Sequence, residues 1–175
     1  MTQVINLFAG AGCGKSTMMA NIFSELKWYG INCEMAPEFA KEVVWENRPK
    51  PLNYQVYIFG KQYYRIARLI GEVDIIITDS PLLFSIIYRD ETLPQSFDKC
   101  VLDIFNQFNN INFYVNRLKP YNPKGRMQDY NEAKEIDNKV KNMLLDNNIK
   151  FSEVDGSPKG VKEIVDLIVS NRNYL

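Results

Sequence analysis

Residues 9–17 read Ala9-Gly10-Ala11-Gly12-Cys13-Gly14-Lys15-Ser16-Thr17, and they decide the fold. They follow a mostly apolar run, Val4 to Phe8, and open a helical pattern. Strand, glycine loop, then helix is the setting that a phosphate-binding loop requires. Glycines let successive backbone N–H groups turn inward around a triphosphate. A helix starting near Gly14 adds its positive end. Lys15 is expected to be exposed and to reach the β- and γ-phosphates, and Ser16 to offer its hydroxyl to Mg²⁺. Ala9 stands where the strict pattern has Gly. The stretch Gly10, Ala11, Gly12, Cys13, Gly14, Lys15, Ser16 and Thr17 is therefore the expected binding loop for a nucleoside triphosphate, with ATP taken as the donor.

The 175 residues suffice for one domain with a substantial core. Apolar residues are 46% and charged residues 24%, as in an ordinary globular chain. Basic and acidic residues balance at 21 each, so a generally basic nucleic-acid surface is not indicated, although a local patch stays open. The chain has no histidine, which removes histidine catalysis and ligation. Its three cysteines, Cys13, Cys33 and Cys100, have no paired spacing and fit a reducing compartment. No apolar run reaches the ~18 residues of a membrane span. A cytoplasmic enzyme is the expectation, without membrane partners and with nucleic acid disfavoured. A homodimer is left open.

Apolar runs alternate with helical patterns, which predicts βαβ units and a parallel sheet. The strands are expected at 3–8, 31–35, 73–79, 111–115 and 149–154. Pro37 suits the first turn of a helix. Glu38 then stands at the carboxyl end of the second strand, beside the crevice where such sheets bind ligands. It reads either as a site residue or as a helix-start carboxylate.

Helical spacing over 53–70 predicts that Val56, Phe59, Tyr63, Ile66 and Ile70 face the core. Gln55, Ile58, Gln62 and Arg65 form a neighbouring stripe, with Arg68 further round. Gln62 could read a base edge and Arg65 could hold a phosphate. The alternative is a solvated polar face. Asp79 closes the apolar run Val73–Thr78, where it can hold Mg²⁺ with Ser16; it could also cap the turn before Pro81. Residues 117–126 carry Arg117, Lys119, Lys124 and Arg126, two prolines, one glycine and no acid. A cationic loop so punctuated reads as a lid, or as a solvent-exposed connection.

The five strands and the phosphate loop resemble the P-loop kinase fold of nucleoside and nucleoside-monophosphate kinases. The resemblance spans nearly the whole chain. It implies an α/β domain over 1–175, with sheet order 2-3-1-4-5, helices on both faces and a short lid at 117–128. Pro37-Glu38-Phe39-Ala40 resembles the Glu-bearing segment of deoxynucleoside and ribosylnicotinamide kinases. In the former that Glu is the base on the 5′-hydroxyl. Asp79-Ser80-Pro81 sits where those kinases carry an acid-Arg-Ser motif, and here the Arg is absent. Residues 117–126 match the family's lid, which makes Arg117 and Arg126 candidates for catalysis beside Lys15, Glu38 and Asp79. Gly156, in Asp155-Gly156-Ser157, matches the adenine-side loop. The stretches PEFAKEVVWE, ITDSPLL and KPYNPKGR look most like small AAA-type ATP-binding kinases encoded by bacteriophages.

Two kinase readings follow. A nucleoside monophosphate adds about two negative charges and needs cations at its site, which Arg65 and Arg68 could supply. A nucleoside hydroxyl benefits from a carboxylate base, which Glu38 could be. The monophosphate reading leads. A GTPase switch lacks its guanine-specifying Asn-Lys-x-Asp loop, because Asn138-Lys139-Val140-Lys141 has no Asp and falls within a helical pattern. A polynucleotide 5′-kinase gains little support from neutral charge.

Overall fold

The computed structural model describes residues 1–118 and 129–171. Its sheet has five strands, β1 (Gln3–Phe8), β2 (Cys33–Met35), β3 (Ile75–Thr78), β4 (Asn109–Asn116) and β5 (Ser152–Asp155). They pair in the order β2-β3-β1-β4-β5, and every pairing is parallel. The expected sheet order is thus observed.

Alternation along the strands builds two cores, one on each face. Ile5, Leu7, Ile75 and Ile77 meet α1 (Lys15–Trp28) and α7 (Pro158–Ser170) through Met18, Ile22, Leu26, Ile164 and Ile168. Val4, Phe8 and Ile76 meet Phe59 and Ile66 of α3 (Gln55–Ala67), Val101 and Phe105 of α5 (Ser96–Phe105), and Val140 and Leu144 of α6 (Tyr130–Asp146). The ends of these helices follow local chemistry. Asp129 and Glu132 form a capping box at the start of α6, and Ser157 caps α7 with Pro158 behind it.

The structure differs from the sequence expectation at the joint between β2 and α3. The helix after β2 is α2 (Phe39–Trp45), so Pro37 precedes it and Glu38 takes the N-cap position in extended geometry. The face of α3 is also turned. Phe59 and Ile66 are buried as expected, but Val56 is 55% exposed and Tyr63 39%, while Gln55, Ile58 and Gln62 face inward. Beyond the helix, Ile70 is also partly exposed. Two contacts explain the rotation. Ile58 joins Phe39 and Val43 in a small core of its own. Gln62 finds partners for both ends of its amide, which removes most of the penalty of burying it.

Candidate active site

β1 delivers the chain to residues 9–14 at the carboxyl edge of the sheet, and Gly14 turns it into α1. Gly14 has φ +95° and Gly12 φ +84°, a left-handed geometry that favours glycine at both positions. In this structure Lys15 folds back on the loop. Its Nζ donates to Ala9 O at 2.8 Å and to Gly10 O at 2.9 Å, and it lies 5.4 Å from the ring centre of Phe84. The expectation that Lys15 stands exposed is corrected: it is half-buried and helps hold the loop. Ser16 is half-buried and Thr17 is exposed on the first turn of α1.

Asp79 follows β3 and is only 2% exposed. Its Oδ2 accepts from Ser16 Oγ, and its Oδ1 accepts from the Glu38 backbone N–H at 3.0 Å. One carboxylate therefore ties the phosphate loop to the segment after β2. Neither bond caps α4 (Phe84–Ile87), which has no side-chain cap. Among the described residues no cluster of three or more acids and cysteines could hold a metal by itself. One hydroxyl beside one carboxylate nevertheless suits Mg²⁺. That ion keeps several waters and takes its remaining oxygens from phosphates rather than from a protein cage.

On the far side of Asp79, Gln62 Oε1 accepts from Phe39 N at 3.0 Å, and its Nε2 lies 3.4 Å from Ala36 O and Thr78 Oγ1. Its amide braces the entry to α2. Arg65 donates to Pro37 O at 3.0 Å, pairs with Glu42, and lies 5.3 Å from the Phe39 ring centre. Glu38, Gln62 and Arg65 are thus brought together. Arg68 is not. It is the exposed C-cap of α3, three residues before Gly71, whose N–H donates to Thr2 at the opposite edge of the sheet.

The sequence reading missed Asp137. This residue of α6 accepts from Gly10 N–H at 2.6 Å and from the Cys13 thiol at 3.4 Å, and it pairs with Arg117 Nε at 2.8 Å. The pair is largely buried, with side-chain exposures of 10% and 14%. Burial opposes the Arg117 charge most strongly, but the Asp137 hydrogen bond together with attraction to Cys13, Asp137 and Tyr130 outweighs it and raises the guanidinium pKa. Burial, and then the Asp137 charge, push the Cys13 thiol up to about 12, so its sulfur is inert and its backbone carries the role. Nothing local marks Asp137; only the packing of α6 on the loop brings it there. Gly156 closes the same corner. A Cβ on it would lie 2.5 Å from Cys13 O, so the turn after β5 presses against the loop backbone. Arg126 and the rest of the lid expectation beyond Leu118, up to residue 128, lie outside the described residues.

A glycine loop on β1, a lysine and serine at its end, and an acid closing the neighbouring strand define a P-loop nucleotide-binding domain with the fold of nucleoside and nucleotide kinases. The chain belongs to the AAA domain family, whose model matches residues 4–160. Among solved structures it is similar to the NadR protein in complex with NR. Their identity is 15% and the TM-score 0.70, over 97% of this chain and 51% of that one. It is also similar to deoxyadenosine kinase from M. mycoides with bound dATP. There the identity is 22% and the TM-score 0.55, over 97% of this chain and 99% of that one. The chain thus spans about half the length of the NadR protein. No curated protein sequence matches it. No helix among the described residues is long and apolar enough to cross a membrane.

Proposed function

We propose that the chain transfers the γ-phosphoryl group of ATP to a nucleoside hydroxyl. One observation carries the reading: the Asp79 carboxylate bonds both the Ser16 hydroxyl of the phosphate loop and the Glu38 backbone. Donor loop, acid and the backbone of Glu38, the proposed acceptor-side residue, therefore converge at one point. The backbone N–H groups of residues 12–17 would hold the triphosphate, with Lys15 released from its two loop carbonyls to meet the phosphates. Glu38 would accept the proton of the attacking hydroxyl as its oxygen bonds to phosphorus and the bond to ADP breaks. Mg²⁺ held through Ser16 and Asp79 would neutralise phosphate charge. Arg117, steadied by Asp137, would add a cation from the loop's flank, and Arg126 another from the proposed lid.

The choice of acceptor is supported by how the candidate cations are engaged. Arg65 is already engaged by Pro37 O and Glu42, and Arg68 lies at the opposite edge. A phosphate acceptor would have to displace Glu42 to win Arg65, whereas a hydroxyl acceptor brings no charge that needs Arg65. The kinase of the M. mycoides structure, named for deoxyadenosine, supports the same class. The monophosphate reading keeps one favourable observation, since Glu42 is half exposed and could yield Arg65. A coupled assay with Mg·ATP and a panel of nucleosides and nucleoside monophosphates tests the choice. Turnover of a nucleoside that falls about 10²-fold or more in Glu38→Gln is expected. Turnover of monophosphates alone, insensitive to Glu38 and with raised acceptor KM in Arg65→Ala, would reverse the assignment.

A further inference from the structure

The outer side of α3 carries a pattern that the phosphoryl-transfer site does not use. Tyr54, Tyr57, Lys61, Tyr64 and Arg68 recur at spacings of three and four and so share one side of the helix. The rings are open to solvent, with Tyr54 and Tyr64 each 66% exposed and Tyr57 43%. Trp45 at the end of α2 is 63% exposed. From Trp45 to Arg68 the chain has five cations and one acid, Glu46. That acid is already paired with Arg48. A locally positive surface thus sits in a chain of zero net charge.

We propose that this side of α3 is a track for single-stranded nucleic acid, with bases stacked on Tyr57 and Tyr64 and phosphates met by Lys61 and Arg68. At 1.5 Å rise per residue, Lys61 lies about 6 Å along the helix from Tyr57, Tyr64 about 10 Å and Arg68 about 16 Å. Ring, cation, ring, cation matches base, phosphate, base, phosphate. Exposed rings interleaved with cations are how sequence-tolerant single-strand binding is built. Lys61 already lies 5.5 Å from the Tyr57 ring centre, so cation and platform stand side by side. The track starts near the candidate active site, because Tyr57 packs edge-on against Phe39, the residue after Glu38.

Two other occupants fit less well. A second copy paired about a two-fold axis would bring Lys61, the midpoint of the stripe, against its own symmetry mate. An anionic membrane surface is met by Leu, Phe and Trp on the buried face, and this stripe is built of tyrosines.

Fluorescence anisotropy with a labelled thymidine oligonucleotide of about ten nucleotides, a length within known site sizes, tests the proposal. Wild-type protein should bind the strand better than a duplex of equal length, and lose affinity as salt rises from about 50 to about 200 mM. Tyr57→Ala and Tyr64→Ala should each weaken binding about 5- to 150-fold, the loss of one stacked base. Lys61→Glu should weaken it and flatten the salt dependence. Lys15→Ala should bind the strand like wild type, which separates this surface from the kinase reading. The substituted side chains are exposed, and a melt recorded on each variant checks its fold. No binding, or equal binding by folded Tyr64→Ala and Lys61→Glu, overturns the proposal. So does sedimentation of a dimer that Tyr64→Ala dissociates, or capture by anionic lipid vesicles in preference to the oligonucleotide.

Discussion

The two sides of Asp79 are built differently. On the donor side, residues 9–17 are contiguous, and backbone geometry makes the site: two glycines in left-handed conformation, a helix N-terminus, and a lysine and serine at fixed offsets. On the acceptor side, Glu38 comes from the segment after β2, and Gln62 and Arg65 from α3, more than 20 residues further along the chain. Two of them reach their positions through side-chain bonds to Phe39, Ala36, Thr78, Pro37 and Glu42. A site made of backbone tolerates change around it and suits the part that stays constant in the proposed reaction, the donor's triphosphate. A site made of side chains can be retuned residue by residue, which is where the proposed function would place acceptor choice.

The largest effect should come from the donor side. Lys15→Ala should lower turnover by about 10²- to 10³-fold or more with every acceptor, as loss of one preorganised cation or donor does. It should also cost about 1–2 kcal/mol of stability, because Lys15 holds two loop carbonyls. Denaturant melts and the coupled assay read the two effects separately. Turnover lost with one acceptor and kept with another would erase the division between the sides.

Asp137→Asn sharpens the comparison, because it reaches the donor loop from outside the loop's own sequence. The variant keeps the size but removes the charge that pairs Arg117. It should destabilise the protein by about 1.5–3 kcal/mol, the worth of a hydrogen bond to a charged group. Turnover should fall about tenfold, chiefly in kcat, as the loop and Arg117 lose their shared anchor. A wild-type kcat in a folded Asp137→Asn protein would confine Asp137 to packing.

That residue also marks how much was legible from sequence. The strands, the phosphate loop and the place of Asp79 were readable because each rests on local pattern: apolar runs, glycine spacing, an acid at a strand end; the strand order came from the resemblance to P-loop kinases. Asp137 was not readable, since a single acid on a helix acquires meaning only when α6 packs on Gly10. The face of α3 was misjudged for a related reason. Periodicity counts Gln62 as polar and therefore outward, yet Ala36, Phe39 and Thr78 satisfy its amide inside. Val56 and Tyr63, expected in the core, are left exposed. Arg68 was grouped with Arg65 by spacing, although the helix carries it toward the opposite edge of the sheet.

A smaller effect follows from titration. The Cys13 thiol rises from 9.0 to about 12 and the Tyr114 phenol from 10.0 to about 12, both mainly by burial. A raised pKa means that the folded state keeps a proton the unfolded chain releases. Stability from these groups is fully present below pH about 9 and falls as pH rises toward about 12. Chemical denaturation at stepped alkaline pH should record that fall, and Cys13→Ala should remove part of it. A flat profile over this range would mean that the loop opens readily and that Cys13 is not enclosed.

The claim at the centre is that Asp79 joins the two sides through charge. Titration calorimetry of Asp79→Asn with ATP, in the presence and absence of Mg²⁺, tests it most directly. The substitution keeps an oxygen for Ser16 or Glu38 and removes the negative charge. Binding of Mg·ATP should weaken about tenfold or more, while binding of metal-free ATP is unchanged or improved, since a nearby negative charge has gone. Equal loss of both would mean that Asp79 only holds the fold, and would contradict the account.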